Sequence, residues 1–283
     1  MSRKGLVLGG GGVTGIAWMT GVLLGLQREG IDMLAADRFV GTSAGSTVAA
    51  QITSGIPLEE LFRRQIEPAL QVPELKPEPH LLELLFNSMP VLMHLLDPIE
   101  RTRRIGQLAL ETKTVKEETR RASIAGRLPR HEWPSQALAT VAVNTATGKV
   151  QLFDRQSGVE LVDAVAASCA VPGIWPPVTI GGARYMDGGI RSSDNVDLVQ
   201  DCDKVLVLSP LGGHGPELPG ASLDSQVDDR LQVGLQTFVI KPTDDVRKAM
   251  GHNPFDATRR GPTAQAGLTQ GHSLGSIAGS FWS

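Results

Sequence analysis

Cysteine is nearly absent: the 283 residues hold only Cys169 and Cys202. Their separation suits neither a metal site nor a disulfide framework, which fits a reducing, intracellular compartment. Aromatic residues are scarce at 4%, so tight turns and close backbone packing are favoured over a stacking surface. No basic excess exists either. A net charge of −3 gives no electrostatic footing for nucleic acid. Long apolar runs are missing too. Arg3 and Lys4 precede an uncharged stretch from Gly5 to Gln27, as in a signal peptide. Gly9, Gly10, Gly11, Gly12, Gly15, Gly21 and Gly25 interrupt it, leaving no segment able to span hydrocarbon. The expectation is a soluble, cytoplasmic protein, touching membranes at most peripherally.

What is present is an ordinary globular composition, 41% apolar and 20% charged, with 32 glycines. That length and composition support a buried core without staples. Gly5–Leu8 reads as a buried strand ending in glycines, and Thr14–Arg28 as a helix stopped at Gly30. The arrangement repeats at once: a brief strand at Arg38–Val40, a tight turn at 41–45, and a helix over Ser46–Thr53. From residue 57 to 130 the chain changes to helical periodicity broken by prolines, an expected helical insertion or lid. Its Arg101, Arg103, Arg104, Arg120, Arg121, Arg127 and Arg130, with Glu111, Glu117 and Glu118 interspersed, read as a solvated helical face rather than an anionic-lipid contact. Strands resume at Ala137–Asn144 and Lys149–Phe153, paired as a hairpin. Val159–Ser168 reads as helix, Lys204–Leu208 and Gln236–Lys241 as strands, and Ala264–Trp282 as a loosely helical tail. Residues 212–283 are the unassigned C-terminal part of a single domain covering 1–283.

Three motifs carry chemistry. Gly41-Thr42-Ser43-Ala44-Gly45 fits a nucleophile elbow, in which a serine occupies a strained strand-to-helix turn and needs small flanking residues. The following helix directs free N–H groups at the serine oxygen. Gly9-Gly10-Gly11-Gly12-Val13-Thr14-Gly15 offers backbone N–H donors to an anionic atom. A dinucleotide loop lacks its acidic partner here, since Asp32 and Asp37 come before the second strand is complete. A phosphate-binding Gly-Lys-Ser/Thr is also missing. Rigid donors of this kind suit an oxyanion hole, each worth about 3 kcal/mol in hydrolases. Asp187-Gly188-Gly189 is the third motif, an ordinary turn taken alone. It follows Ala166-Ala167-Ser168-Cys169-Ala170-Val171-Pro172-Gly173-Ile174-Trp175-Pro176-Pro177-Val178.

With these blocks together, the sequence resembles the patatin-like phospholipase family. The resemblance rests on G-x-G-x-x-G at Gly10, Gly12 and Gly15, G-x-S-x-G at 41–45, the segment 167–178 and D-G-G at 187–189, spread over Gly5 to about Asp197. It implies a three-layer α/β/α sandwich with a mostly parallel central sheet and a helical insertion. It also implies a Ser43–Asp187 dyad, an oxyanion hole from Gly10, Gly11 and Gly12, and lipid acyl esters as substrates, without cofactor, metal or calcium. The family commonly has Arg or Lys where this chain has Thr14, which favours neutral esters. Physically, a desolvated carboxylate beside a hydroxyl can act as its general base.

Other readings stand beside it. A Ser–His–Asp esterase could draw on His214, His252 or His272, a transacylase would share the acyl-enzyme, and a lipid-binding protein would need no catalysis. Met89 and Met93 read as helix packing rather than an acyl groove. Trp18 and Trp175 read as packing residues, and Cys169 as an inert buried thiol.

Overall fold

The computed structural model describes residues 2–75, 97–212 and 222–283. Met89, Met93, His80, His94 and His214 lie outside the described residues. The described strands are β1 (Lys4–Leu8), β2 (Arg38–Thr42), β3 (Leu138–Asn144), β4 (Val150–Asp154), β5 (Val178–Ile180), β6 (Ala183–Asp187), β7 (Lys204–Leu208) and β8 (Gln236–Ile240). They form one sheet in the order β5-β6-β3-β2-β1-β7-β8, with β4 on the other edge of β3. The pairings β3–β2–β1–β7–β8 are all parallel, and those of β4, β5 and β6 antiparallel. The sheet is therefore mixed, parallel through its centre.

Strand alternation sorts the core into two faces. Leu6, Leu8, Phe39, Leu138, Leu206 and Leu208 point to one face. It is covered by α1 (Gly12–Arg28), α2 (Ala44–Ile52), α3 (Leu58–Ile66) and α6 (Leu161–Ser168). Val7, Val40, Val141, Val205 and Val207 point to the other, with Val196, Val199 and Leu223 packed on them. Leu223 opens helix α7 (Leu223–Gln232). Helices α4 (Pro98–Glu111) and α5 (Glu117–Arg127) lie between β2 and β3 in sequence. Ile105 of α4 packs on Val143, Met186 and Ile190. The result is the expected layering, helix on sheet on helix.

The tail departs from the sequence reading. After α8 (Asp244–Met250), it forms two regular helices, α9 (Arg260–Ser273) and α10 (Gly275–Trp282). α9 is a core element. It lies against α1 through glycines on both sides: a Cβ on Gly25 would stand 2.5 Å from the Leu268 carbonyl, and one on Gly267 2.6 Å from that of Trp18. Trp18 Nε1 donates to Gln270 Oε1 at 2.8 Å, and Gln270 Nε2 to the Lys241 carbonyl at 2.7 Å. The glycines that interrupt the apolar N-terminal stretch thus permit a helix contact 240-odd residues away in sequence. No described helix is long and apolar enough to cross a membrane.

One detail of the sheet positions the site. β4 occupies one edge of β3 as far as Val143, so β2 and β6 must share the other. β2 runs parallel to β3 and ends with Thr42 opposite Val141. β6 runs the opposite way and ends with Asp187 opposite Ala142. The two strands meet end to end on a single edge, and the residues leaving them are Ser43 and Gly188.

Candidate active site

Ser43 leaves β2 and precedes α2 with φ 53° and ψ −118°, a region costly for any residue with a Cβ. Steric demands explain its flanks. A Cβ on Gly41 would come 2.5 Å from Ser46 Cα, and one on Gly45 would collide with the Leu8 carbonyl. Hydrogen bonds hold the turn in place. Ser43 N–H donates to Ser168 Oγ at 2.9 Å. Its carbonyl accepts from Ser46 Oγ at 2.6 Å, Ser46 N at 2.9 Å and Cys169 Sγ at 3.2 Å. Cys169 is buried and its thiol is pushed up, first by burial and then by Asp187. It therefore serves as packing beneath the elbow, without thiolate character.

Asp187 ends β6 with its N–H donated to the Ala170 carbonyl at 3.0 Å. Oδ1 accepts from Gly189 N at 2.7 Å. Oδ2 is buried and makes no hydrogen bond of good geometry. Burial raises the carboxyl to about 7, against the opposing pull of the Ser43 hydroxyl, the Gly189 N–H and the more distant Arg120 charge. Ser43 thus lies beside the carboxyl, near enough for its hydroxyl to favour the charged form. The structure brings Ser43 and Asp187 together.

The glycine loop borders the same spot: a Cβ on Gly10 would stand 3.6 Å from Ser43 Cβ. Gly10 N–H, however, donates to the Ser193 carbonyl at 2.8 Å. That corrects its assignment as an oxyanion donor, because a committed N–H has no proton to offer. Gly11 and Gly12 N–H have no acceptor among the described residues. They open α1, whose N-terminal partial charge favours an anion there. Gly12 has φ 61°, a Cβ on it would meet Pro254 at 2.9 Å or less, and Thr14 N–H donates to the Pro254 carbonyl at 3.1 Å. Thr14 is buried. Gly15 N–H returns to the Gly11 carbonyl at 2.8 Å, closing the first turn.

Several residues of the site escaped the sequence reading. Asn195, fully buried with φ 53°, donates from Nδ2 to Ser192 O at 2.6 Å and Thr42 Oγ1 at 3.1 Å. It ties the chain after Gly189 to the end of β2. Asp194 is buried against Gly9, its carboxyl pushed up to about 6 by burial against the pull of Ser209 and Lys241. Arg120, expected on a solvated face, is 3% exposed with its guanidinium 4.0 Å from the Trp175 ring centre. Arg127 is also largely enclosed, on Glu74. Arg103, Arg104 and Arg121 do pair at the surface, with Glu100, Glu160 and Asp163.

Among the described residues no histidine hydrogen-bonds to Ser43 or Asp187. His272 is held by Glu29 at 2.9 Å, at the far end of the 17-residue α1, about 25 Å along the axis from Gly12. His252 is exposed. No group of three His, Cys, Asp or Glu among the described residues could hold a metal ion.

A serine on a strained elbow, a buried carboxyl and a glycine loop at a helix start belong together in one known class, and the sequence matches the model of that class, Patatin-like phospholipase, over residues 6–199. The chain belongs to this family. Among solved structures it resembles VipD from Legionella pneumophila at 12% identity and TM-score 0.51, covering 98% of this chain and 67% of that one. It is also similar to the type III effector ExoU at 17% identity and TM-score 0.44, covering 98% of this chain and 54% of that one. A third similar structure is the ExoU–SpcU complex from Pseudomonas aeruginosa, at 19% identity and TM-score 0.38, covering 96% and 52%. The chain thus spans about half to two thirds of these relatives' length. No curated protein matches it.

Proposed function

We propose that the chain hydrolyses carboxylic esters of lipids through an acyl-Ser43 intermediate, with Asp187 as general base. Asp187 takes the hydroxyl proton as Ser43 Oγ attacks the ester carbonyl. Gly11 and Gly12 N–H receive the tetrahedral oxygen, helped by the start of α1. Collapse expels the alkoxide, which recovers the proton from Asp187. Water then attacks the acyl-serine with the same carboxylate as base.

The observation that supports this reading best is the state of Asp187. One oxygen is fixed by Gly189 N–H, the other is unsatisfied beside Ser43, and burial raises the group to about 7. A carboxylate so poised has the proton affinity that a base needs near neutrality. The test is a fluorophosphonate label mapped by mass spectrometry on wild type, Ser43→Ala and Asp187→Asn. Label is expected on Ser43 in wild type, none in Ser43→Ala and much slower labelling in Asp187→Asn. Undiminished labelling of Ser43→Ala would place the nucleophile elsewhere.

A further inference from the structure

The stretch that follows the D-G-G block is more than a return loop. It buries three polar residues, Ser192, Asp194 and Asn195, none of which the acyl-serine chemistry uses. Asn195 is the most enclosed of them, on backbone at φ 53°. Its carboxamide fits in one orientation. Oδ1 accepts from Arg191 Nη1 at 2.7 Å, and a guanidinium can only donate. Nδ2 faces three oxygens: Ser192 O at 2.6 Å, Thr42 Oγ1 at 3.1 Å and Gly188 O at 3.3 Å. Exchanging the nitrogen and the oxygen would set acceptor against acceptor at both carbonyls.

These contacts fall on the joint of the site. Thr42 is the last residue of β2 and precedes the nucleophile, and Gly188 follows the base at the end of β6. One side-chain nitrogen thus bridges the two chain ends that run toward each other along β3. The same stretch meets the glycine loop. Ser193 O accepts from Gly10 N–H at 2.8 Å, and a Cβ on Gly9 would stand 2.2 Å from Asp194 Oδ1. Helix α7 anchors it from behind: Gln226 Nε2 donates to Ser192 Oγ at 2.8 Å, and Gln226 Oε1 accepts from Val196 N at 2.7 Å. All three chemical motifs therefore touch this one stretch, and Asn195 joins two of them directly.

We propose that Asn195 is a positioning residue for the acyl transfer, its Nδ2 group fixing the separation of Ser43 and Asp187 by bridging Thr42 and Gly188. The inference rests on the acyl-serine reading and adds to it the part that sets the dyad's geometry. Two demands select the residue type. Backbone at φ 53° is best tolerated by Gly, Asn and Asp. Glycine has no donor to make the bridge, and aspartate would turn an oxygen toward the Gly188 and Ser192 carbonyls. Asparagine meets both demands. The stakes are high because a misplacement of about 1 Å between reacting groups can cost on the order of 100-fold in rate.

The experiment measures kcat and KM of the full chain on p-nitrophenyl hexanoate between about pH 5 and about pH 9. Melting temperatures by calorimetry confirm that each variant is folded. In Asn195→Gly, which suits the backbone and removes the bridge, kcat should fall at least about tenfold with KM within about threefold. Asp187 is faced by the Ser43 hydroxyl, Gly189 N–H, Arg120 of α5 and the Cys169 thiol at the end of α6. Of these, the Ser43 hydroxyl comes from across the joint and favours the charged carboxyl. Its retreat should move the midpoint of the pH–rate profile to higher pH, a shift that lost stability alone does not produce. Thr42→Val cuts the far end of the bridge and leaves Nδ2 its two carbonyls. It should lower kcat about threefold and shift the midpoint the same way, and it decides the matter if Asn195→Gly fails to fold. A kcat within about twofold of wild type, or an unmoved midpoint, in either folded variant would overturn the positioning role alone. Wild type that leaves the ester intact, or activity surviving in Ser43→Ala, would overturn the acyl-serine reading and the positioning role with it.

Discussion

At the scale of single residues, Ser43 and Asp187 each hold a conformation or environment that is unfavourable in isolation. Ser43 sits at φ 53°, and glycine there removes the Cβ conflict, worth about 1 kcal/mol. Ser43→Gly should therefore melt a few degrees above Ser43→Ala, both inactive. Equal melting temperatures by calorimetry would show that the elbow is unstrained. Asp187 must be ionised to accept a proton, and burial sets that step at about 7. The rate should fall as pH drops through about 7 and level off above it. A profile flat down to pH 5 would mean that a different group is the base. Arg120 completes this scale, and its burial could not be read from sequence, because an arginine among glutamates on a helix looks solvated until its neighbours are placed.

At the scale of elements, the strand–loop–helix units were legible because their causes are local. Short apolar runs, glycines at fixed offsets and helical periodicity fix β1, α1, β2 and α2 without reference to anything distant. The elbow's demand on its glycines is equally local, and Gly45→Ala should be severe, with the tightest Cβ approach of any described glycine. Its Cβ would strike the Leu8 backbone, so loss of soluble, foldable protein is expected. Near-normal yield and melting would contradict the close contact of α2 with the end of β1. By contrast α9 is legible only as part of a loosely helical tail, and not as a core element. Its sequence is polar and glycine-rich, and its reason for existing is Trp18 and the glycines of α1. Long-range complementarity of that kind leaves little periodic signal. Gly10 shows the same limit within the site. Its position was legible, yet the Ser193 carbonyl that occupies its N–H belongs to a loop no local pattern could dock.

For the whole molecule, the site's carboxyls shape stability as well as catalysis. Asp187 titrates at about 7 and Asp194 at about 6 when folded, against an ordinary 3.8. A raised carboxyl pKa means that the native state holds the proton more tightly than the unfolded chain. The associated stability is present below pH 4, is lost progressively between 4 and about 7, and is gone above. For Asp187 the loss is on the order of 4 kcal/mol. Asp187→Asn removes this ionisation, so its melting temperature relative to wild type should rise between pH 5 and pH 8. A pH-independent difference in thermal denaturation would contradict the buried, proton-hungry carboxyl.

The head-on meeting of β2 and β6 along β3 has one more consequence. Neither strand can grow by a residue without evicting the other's last one, so each polices the length of its opposite. The reactive groups occupy the joint between two rails laid toward each other, and an inserted residue in either rail would displace them even if every side chain were kept.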